Sequence, residues 1–397
     1  MSDLTLAVLF GGRACEHDVS IISGLQAADA AEKAGYRVVR TYIGRDGAWF
    51  VGDALKDIKG YAQFDPARVS RVLPLGEGGK LVLIKYPEAK KALFGAGRTV
   101  LGTCDVAFPV MHGMNGEDGT LQGMFEMMDV PYTSAGVLGS SVGMDKILMK
   151  QLFKGCGLNV LPGEWVSRDE WEKDRLACLD KMEEALPYPM YAKPANLGSS
   201  IGISRADDRA GLERAIDVAA AYDRRVLVEK GVSDLREVNC AVLGYAGHIR
   251  ASVLEMPVRW DKFLTFDEKY LRSAKGGSKG MASLSRQIPA PISAEATQQV
   301  KDMALSAFRA MDLKGVVRVD FILDGDEIYL NEVNTIPGSL AFYLWEATGV
   351  SFGQLIDTLV EDALSACADK RKSVFSFDSN ILAAQCAGSK GSKGSKA

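Results

Sequence analysis

The stretch RVDFILDGDEIYLNEVNTIPG, residues 318–338, decides how this chain is read. Two apolar-rich runs, 316–323 and 327–333, flank Asp324-Gly325-Asp326, which is a hairpin signal. Alternate residues of a strand share a face, and a turn of odd length keeps the even positions of both strands together. Arg318, Asp320, Glu332 and Asn334 are therefore expected side by side on one face. Val317, Val319, Phe321, Leu323, Tyr329 and Val333 are expected on the other, buried face. Two carboxylates and an amide oxygen make an oxygen-only site that suits Mg2+ on substrate phosphates better than zinc, and Arg318 beside them would neutralise an anion. A half-exposed hairpin with solvated acids is the competing reading, and the rest of the chain must separate the two.

At 397 residues the chain is too long for one ordinary core and is expected to form two or three domains. Its 47% apolar content is ample for globular packing. A net charge of -4, without any Lys/Arg cluster interleaved with aromatics, argues against a nucleic-acid partner. Seven scattered cysteines, an odd number with no Cys-x-x-Cys pair, point to reduced thiols in a cytoplasm and away from a zinc ribbon or a disulfide framework. No apolar stretch reaches membrane-spanning length and residues 4–10 are too short for a signal-peptide core, so a soluble, cytoplasmic protein with no membrane contact is expected.

Residues 4–10 read as a buried strand that runs into Gly11-Gly12-Arg13 and a helical pattern (Val19, Ile22, Leu25, Ala28) stopping at Gly35. Such a Gly turn lets backbone N–H groups and a helix N-terminus face the negative end of a ligand. Glu16 sits at that mouth, where an acid also simply complements the helix dipole. Residues 36–43 resume as strand, which gives a βαβ opening and an α/β fold with an open parallel sheet. A hairpin is expected around 76–80. Residues 104–110 form another buried strand, leading into HGMNGEDGTLQG, 112–123. Its glycines around His112, Glu117 and Asp118 describe a loop that approaches something closely, at a strand's carboxyl end where open α/β sheets bind ligands.

Lys146 opens a short helix ending at Gly155, and 190–194 is a strand carrying Lys193. ANLGSSIGI, 195–203, offers donors and little bulk, as a flap over phosphates requires; a surface hairpin is the alternative. VLVEK, 226–230, ends a strand at Glu229 and Lys230, and 237–243 is a strand carrying Glu237. The span 260–287, with Lys269 and Tyr270, lacks periodicity, as a lid or a disordered insert does. A helix on one apolar stripe covers 295–311, and a last helix begins at Ser351 with Gln354 in a capping-box pattern. From Ala387 the chain repeats Gly, Ser and Lys, cannot bury apolar area and is expected to be disordered.

The order of these motifs resembles the ATP-grasp ligases. The words FGGRACEHDVS, HGMNGEDGTLQG, MDK, KPANLGSSIGIS, DEKY, RVDF and NEVNTIPG resemble the D-alanine:D-alanine ligase family over roughly residues 4–365. The resemblance implies a three-domain ATP-grasp architecture: an N-terminal open parallel-sheet domain (1–134), a central subdomain (135–230), a C-terminal subdomain with the hairpin and lid (231–370), and a disordered tail (371–397). It implies ATP-dependent joining of two D-alanines through an acyl phosphate for peptidoglycan precursors, with ATP as co-substrate, two Mg2+ (or Mn2+) and a homodimer.

On that resemblance Asp320, Glu332 and Asn334 hold the metals, and Lys146 and Lys193 meet the α- and β-phosphates under a flap that includes Ser200. Glu229, with the backbone of Lys230 and Val232, lies at adenine, Glu237 at the ribose and Lys269 at the γ-phosphate. Glu16 takes the ammonium of the first D-alanine with His112 near its carboxylate, and Glu16, Ser199 and Tyr270 form a triad that shuts the lid. Arg318 and the Gly338 backbone stabilise the tetrahedral oxyanion. After Pro337-Gly338 the chain departs from the family: it reads SLAFYL, and Tyr343, with a share from Ser339, falls where much of the family places a Ser against the acceptor's carboxylate. The SDLRE spacing before Glu237 is one residue longer than usual. A D-lactate or D-serine ligase, another ATP-grasp carboxylate–amine ligase, and a non-catalytic ATP-binding regulator are the alternatives; the retained Lys269, Arg318 and Glu332 argue against the last.

Overall fold

A computed structural model of the chain describes residues 3–87, 98–257 and 286–374, together with Leu382 and Gln385. Three sheets form among the described residues. The first contains β1 (Thr5–Gly11), β2 (Arg37–Ile43), β3 (Trp49–Val51), β4 (Ser70–Glu77), β5 (Lys80–Lys85), β6 (Val100–Cys104) and β7 (Val106–Pro109), in the order β6-β5-β4-β3-β2-β1-β7. The second contains β8 (Gly163–Ser167), β9 (Met190–Pro194), β10 (Ser204–Ala206) and β11 (Arg225–Lys230), in the order β10-β9-β11-β8. The third contains β12 (Arg236–Tyr245), β13 (His248–Pro257), β14 (Arg286–Gln287), β15 (Gly315–Asp324) and β16 (Glu327–Asn334), in the order β14-β13-β12-β15-β16.

The βαβ opening forms as its pattern predicts: β1, the helix His17–Lys33 and β2 parallel to β1. The expectation of an open parallel sheet is met only in part. Among its strands the parallel pairs are β2-β1 and β1-β7, and β3 to β6 extend this centre as an antiparallel meander that contains the hairpin expected near 76–80. The single strand read over 104–110 is two. Asp105 breaks it, because its carboxylate accepts the Thr5 N–H and pairs with Lys80 at 2.7 Å. Cys104 therefore ends an antiparallel strand and Val106 begins a parallel one.

The 318–338 hairpin has the expected partners for a different reason. Its turn holds two residues, Gly325-Asp326, closed by the pair Asp324↔Glu327, which by itself would set even positions against odd ones. A β-bulge at Asn331 inserts one residue and restores the pairs Asp320↔Glu332 and Arg318↔Asn334. Tyr329 is accordingly misplaced by the simple alternation: it pairs with Ile322, and Ile328 and Leu330 take the core positions beside Phe321 and Leu323.

The strand β14 replaces the last two residues of the expected lid, Arg286 and Gln287. The rest of the lid, with Lys269 and Tyr270, and the Gly-Ser-Lys tail lie outside the described residues. The helix Phe352–Lys370 opens on the expected capping box of Ser351 and Gln354. One hydrophobic cluster joins Leu6, Val8 and Phe10 of the first sheet to Ala241, Val316, Trp345 and Leu355 of the C-terminal part. The four-stranded sheet has a separate core around Trp171, Met182, Ile216 and Val226. The first and third sheets thus share apolar packing, which fixes the loops between them.

Candidate active site

The polar face of the third sheet carries a row of cross-strand partners, Glu255↔Asn239↔Asp320↔Glu332. Glu237 lies two residues before Asn239 on the same face. Arg318 grips Asp320 with two bonds, Nε–Oδ1 2.6 Å and a terminal nitrogen to Oδ2 2.6 Å, and the Asn334 amide donates to Asp320 Oδ2 at 3.0 Å. Burial raises the Asp320 carboxyl to about 6; Arg318 opposes the rise, and Glu332 and Glu237 add to it. Burial would lower the Arg318 guanidinium, yet Asp320 holds it well above its ordinary value. Beyond Asn239 the row ends in a fully paired acid. Glu255 accepts from the Asn239 amide (3.0 Å), the Tyr343 hydroxyl (2.8 Å) and Arg286 (2.9 Å), and the Arg286 guanidinium lies 3.9 Å from the Tyr343 ring centroid.

Opposite this face stands the helix Lys146–Gly155, capped by Asp145, whose Oδ1 accepts the N–H groups of Ile147 and Leu148 and whose Oδ2 pairs with Arg225. Lys146 Nζ donates to the Leu197 carbonyl at 2.6 Å and lies 3.9 Å from Glu332. Lys193 on β9 meets Glu229 Oε2 at 2.5 Å, and Lys150 meets Glu229 Oε1 at 2.6 Å. Burial would raise the fully buried Glu229, but the two ammonium groups pull it down to about 2. Its carboxylate is thus engaged by lysines inside the protein and is not open to the adenine contact expected of it. The Lys230 N–H likewise has a partner within the protein, donating to the Pro162 carbonyl at 3.0 Å.

Glu16 occupies the N-cap position of the helix His17–Lys33 and makes no capping bond. Instead its Oε1 accepts the Ser199 hydroxyl at 3.1 Å, across 183 residues of sequence. A side chain at Gly113, where φ is +70°, would place its Cβ 2.3 Å from Glu16 Oε2, so it would be strained and would push the Glu16 carboxylate aside. Ser199 and Ser200 hold φ of 58° and 59°, a left-handed conformation that costs non-glycine residues about 1 kcal/mol or more each. Strain of this kind collects where a loop is shaped for a ligand.

His112 is buried and ties the two shared sheets together. Nδ1 faces the Ile336 carbonyl at 2.8 Å, an acceptor only, so Nδ1 carries the proton and Nε2 accepts from the Ser23 hydroxyl at 3.0 Å. Ser23 in turn accepts the Ser339 N–H at 3.1 Å. Burial holds the imidazole down to about 4, with Arg318 adding to the effect. Glu117 completes the clasp by accepting N–H groups from Gly113 and Ile336, both at 2.8 Å. Burial pushes Glu117 up to about 7; these two bonds oppose the rise and Glu16 adds to it. Gly338 opens a turn in which Ser339, Leu340 and Ala341 are all left-handed, with φ near 50°. The Ser339 hydroxyl donates to Gln26 at 2.7 Å and the Tyr343 hydroxyl to Glu255, so both residues expected at an acceptor's carboxylate have partners within the protein.

The structure therefore gathers Glu16 with Ser199, His112 with Ser339 through Ser23, Lys146 with Glu332, Lys193 with Glu229, and Arg318 with Asp320 and Asn334, while Ser200 follows Ser199 in the same left-handed turn. Glu237 faces the same space, acting electrostatically on Lys193 and Asp320, and Val232 follows β11 half-buried. Sequence reasoning missed Ser23, Lys150, Asn239, Glu255 and Arg286, and gave Glu117 no role. Lys150 was legible: four residues after Lys146, it shares that residue's helix face.

Comparisons with known proteins agree with this geometry. Residues 5–135 match the family model described as D-ala D-ala ligase N-terminus, and residues 152–361 match that described as D-ala D-ala ligase C-terminus. The D-alanine--D-alanine ligase of Heliobacterium modesticaldum is 40% identical over 380 residues, 94% of this chain and 98% of that protein. The ligase of the same name from Thermosipho africanus is 35% identical over 96% of this chain and 98% of its own. The solved D-Ala:D-Ser ligase of Enterococcus faecalis superposes with a TM-score of 0.74 at 28% identity, covering 91% of this chain and 99% of that one. The D-alanine-D-alanine ligase of Coxiella burnetii, 24% identical, shares the fold with a TM-score of 0.74 over 98% of this chain and 100% of that one. The fold is α/β of the ATP-grasp architecture. The chain belongs to the D-ala D-ala ligase family.

Proposed function

We propose that this chain is an ATP-dependent ligase that joins two D-alanines into D-alanyl-D-alanine for peptidoglycan precursors. The observation that carries the reading is the convergence of an anion-binding side, Lys146 and Lys193, with an acidic side, Asp320 and Glu332, next to Glu16 and Ser199. A carboxylate is a poor acyl donor, so ATP first converts the first D-alanine to an acyl phosphate, and the amine of the second then displaces phosphate. Glu16 receives the first ammonium, and the neutral His112 fixes the loop beside the first carboxylate without adding charge. Lys146 and Lys193 neutralise the phosphates. Arg318, whose second terminal nitrogen makes no bond among the described residues, faces the developing oxyanion together with the Gly338 backbone. Lys269 and Tyr270 belong to the lid in this reading.

Asp320, Glu332 and Asn334 fit Mg2+ or Mn2+. Among the described residues no group of three or more His, Cys, Asp or Glu could hold a metal. A hard cation here would instead take two carboxylates and an amide oxygen and complete its shell with phosphate oxygens. Burial is the main cause of the raised Asp320 carboxyl, and Glu332 and Glu237 add to it; a bound cation would favour the charged form of this acid. When bound, the ions would neutralise the phosphates during transfer.

The division into 1–134, 135–230 and 231–370 is supported by the three sheets. The described cysteines are free thiols, which suits a cytoplasmic protein, and no described helix is long and apolar enough to cross a membrane; the homodimer rests on the family resemblance alone. The test is phosphate release and product mass with ATP and D-alanine, set against D-lactate, D-serine and L-alanine. D-alanyl-D-alanine is expected as the main product; phosphate release that does not respond to D-alanine would overturn the reading.

A further inference from the structure

Glu229 has two ammonium partners, Lys193 and Lys150, and the proposed function gives a role to Lys193 alone. Lys150 and Lys193 each hold one oxygen of a carboxylate that has no solvent exposure, and the Lys150 side chain is only 8% exposed. A carboxylate between two ammonium groups leaves the trio with one net positive charge in a dry site, where charge acts at longer range than in water. With Lys150 absent, Lys193 and Glu229 would form a neutral pair, and Lys193 would have little left to offer an anion.

The helix carrying Lys150 is built to keep it there. Asp145, just before its first residue, pairs with Arg225 on the strand that also carries Glu229. Ile147 packs on Leu227 of that strand, whose direct partner on β9 is Lys193. On its other side, Met149 and Phe153 enter the core of the third sheet. One short helix thus presents Lys146 to the acid row and, one turn on, Lys150 to Glu229.

We propose that Lys150 is a positioning residue for the nucleotide: by sharing the charge of Glu229 it keeps the positive charge of Lys193 directed at the phosphates of ATP. The inference rests on the reading of Lys193 as a phosphate contact. It predicts that the lost interaction scales with phosphate charge, whereas a merely structural lysine would disturb the whole pocket.

The experiment compares ADP with adenosine by calorimetry or competition, in the full chain with Lys150→Met and Lys150→Arg. Lys150→Met should weaken ADP about ten-fold or more while changing adenosine by less than about two-fold. Lys150→Arg, which keeps the charge, should bind ADP within about three-fold of the unaltered protein. Equal loss for ADP and adenosine, no loss in Lys150→Met, or no rescue by Lys150→Arg would each overturn the proposal. Should Lys150→Met not fold, the arginine variant and Lys150→Gln carry the same comparison. These are binding measurements, so failure of D-alanine to stimulate phosphate release would refute the ligase reading while leaving this inference standing or falling on its own ratio.

Discussion

Glu229 on β11 and Asp320 on β15 are both buried acids that line the proposed nucleotide site, and their neighbours drive them in opposite directions. Burial favours the neutral form of each. Glu229 nevertheless falls to about 2 under Lys150 and Lys193, whereas Asp320 rises to about 6, with Glu332 and Glu237 adding to burial and Arg318 only partly offsetting it. The first acid is neutralised inside the protein. The second sits in a row that still holds excess negative charge. Burial by itself therefore does not separate a structural carboxylate from a ligand-facing one; the balance of charge around it does.

The largest effect should come from the ligand-facing row. Glu332→Gln keeps shape and removes charge, and turnover should fall by on the order of 100- to 1,000-fold with little change in melting temperature. Steady-state phosphate release and a thermal melt check both halves, and near-normal turnover would place the metal elsewhere.

Glu229→Gln should behave in the reverse manner. It leaves two buried ammonium groups without their anion, and folding stability should drop by about 3 kcal/mol. Urea denaturation at pH 7 measures it; a loss below the scatter of the method would mean that the two lysines are solvated.

A third variant reads the clasp between the first and third sheets. Burial depresses the His112 ring from 6.5 to about 4. Between these values the folded protein binds fewer protons at this ring than the unfolded chain does. Stability present at neutral pH is therefore lost as pH falls, by up to about 3 kcal/mol. His112→Asn should lack this component, so the gap between variant and unaltered protein should narrow from pH 7 to pH 4. A constant gap would show that the ring does not titrate in this way.

The smallest effect lies away from both acids. Ser351→Ala removes the cap of the helix Phe352–Lys370 and should cost about 1 kcal/mol without altering turnover.

Much of this site was legible because its motifs are local. The strand–glycine–helix start, the HG..GEDG loop and the acid pairs of the hairpin each depend on residues close in sequence, and their spacing carried the reading. What stayed hidden depends on register or on distant partners. The bulge at Asn331 has no composition signal of its own, so alternation put Tyr329 on the wrong face although the acid pairs came out correctly. Asp105 split a run of apolar residues because Thr5 and Lys80, far away in sequence, claim its carboxylate. Glu255 and Arg286 could not be found because their roles come from the order of strands in the third sheet. Among the described residues Ser23 joins the site through His112 and Ser339, which lie 89 and 316 residues from it.

The opposed roles of the two acids can be tested most directly by titrating ADP into the unaltered protein, Glu332→Gln and Glu229→Gln, each with Mg2+ and with a chelator. The account predicts that Mg2+ tightens ADP binding in the unaltered protein and in Glu229→Gln, and does not in Glu332→Gln. A Mg2+ effect that survives in Glu332→Gln and disappears in Glu229→Gln would contradict it.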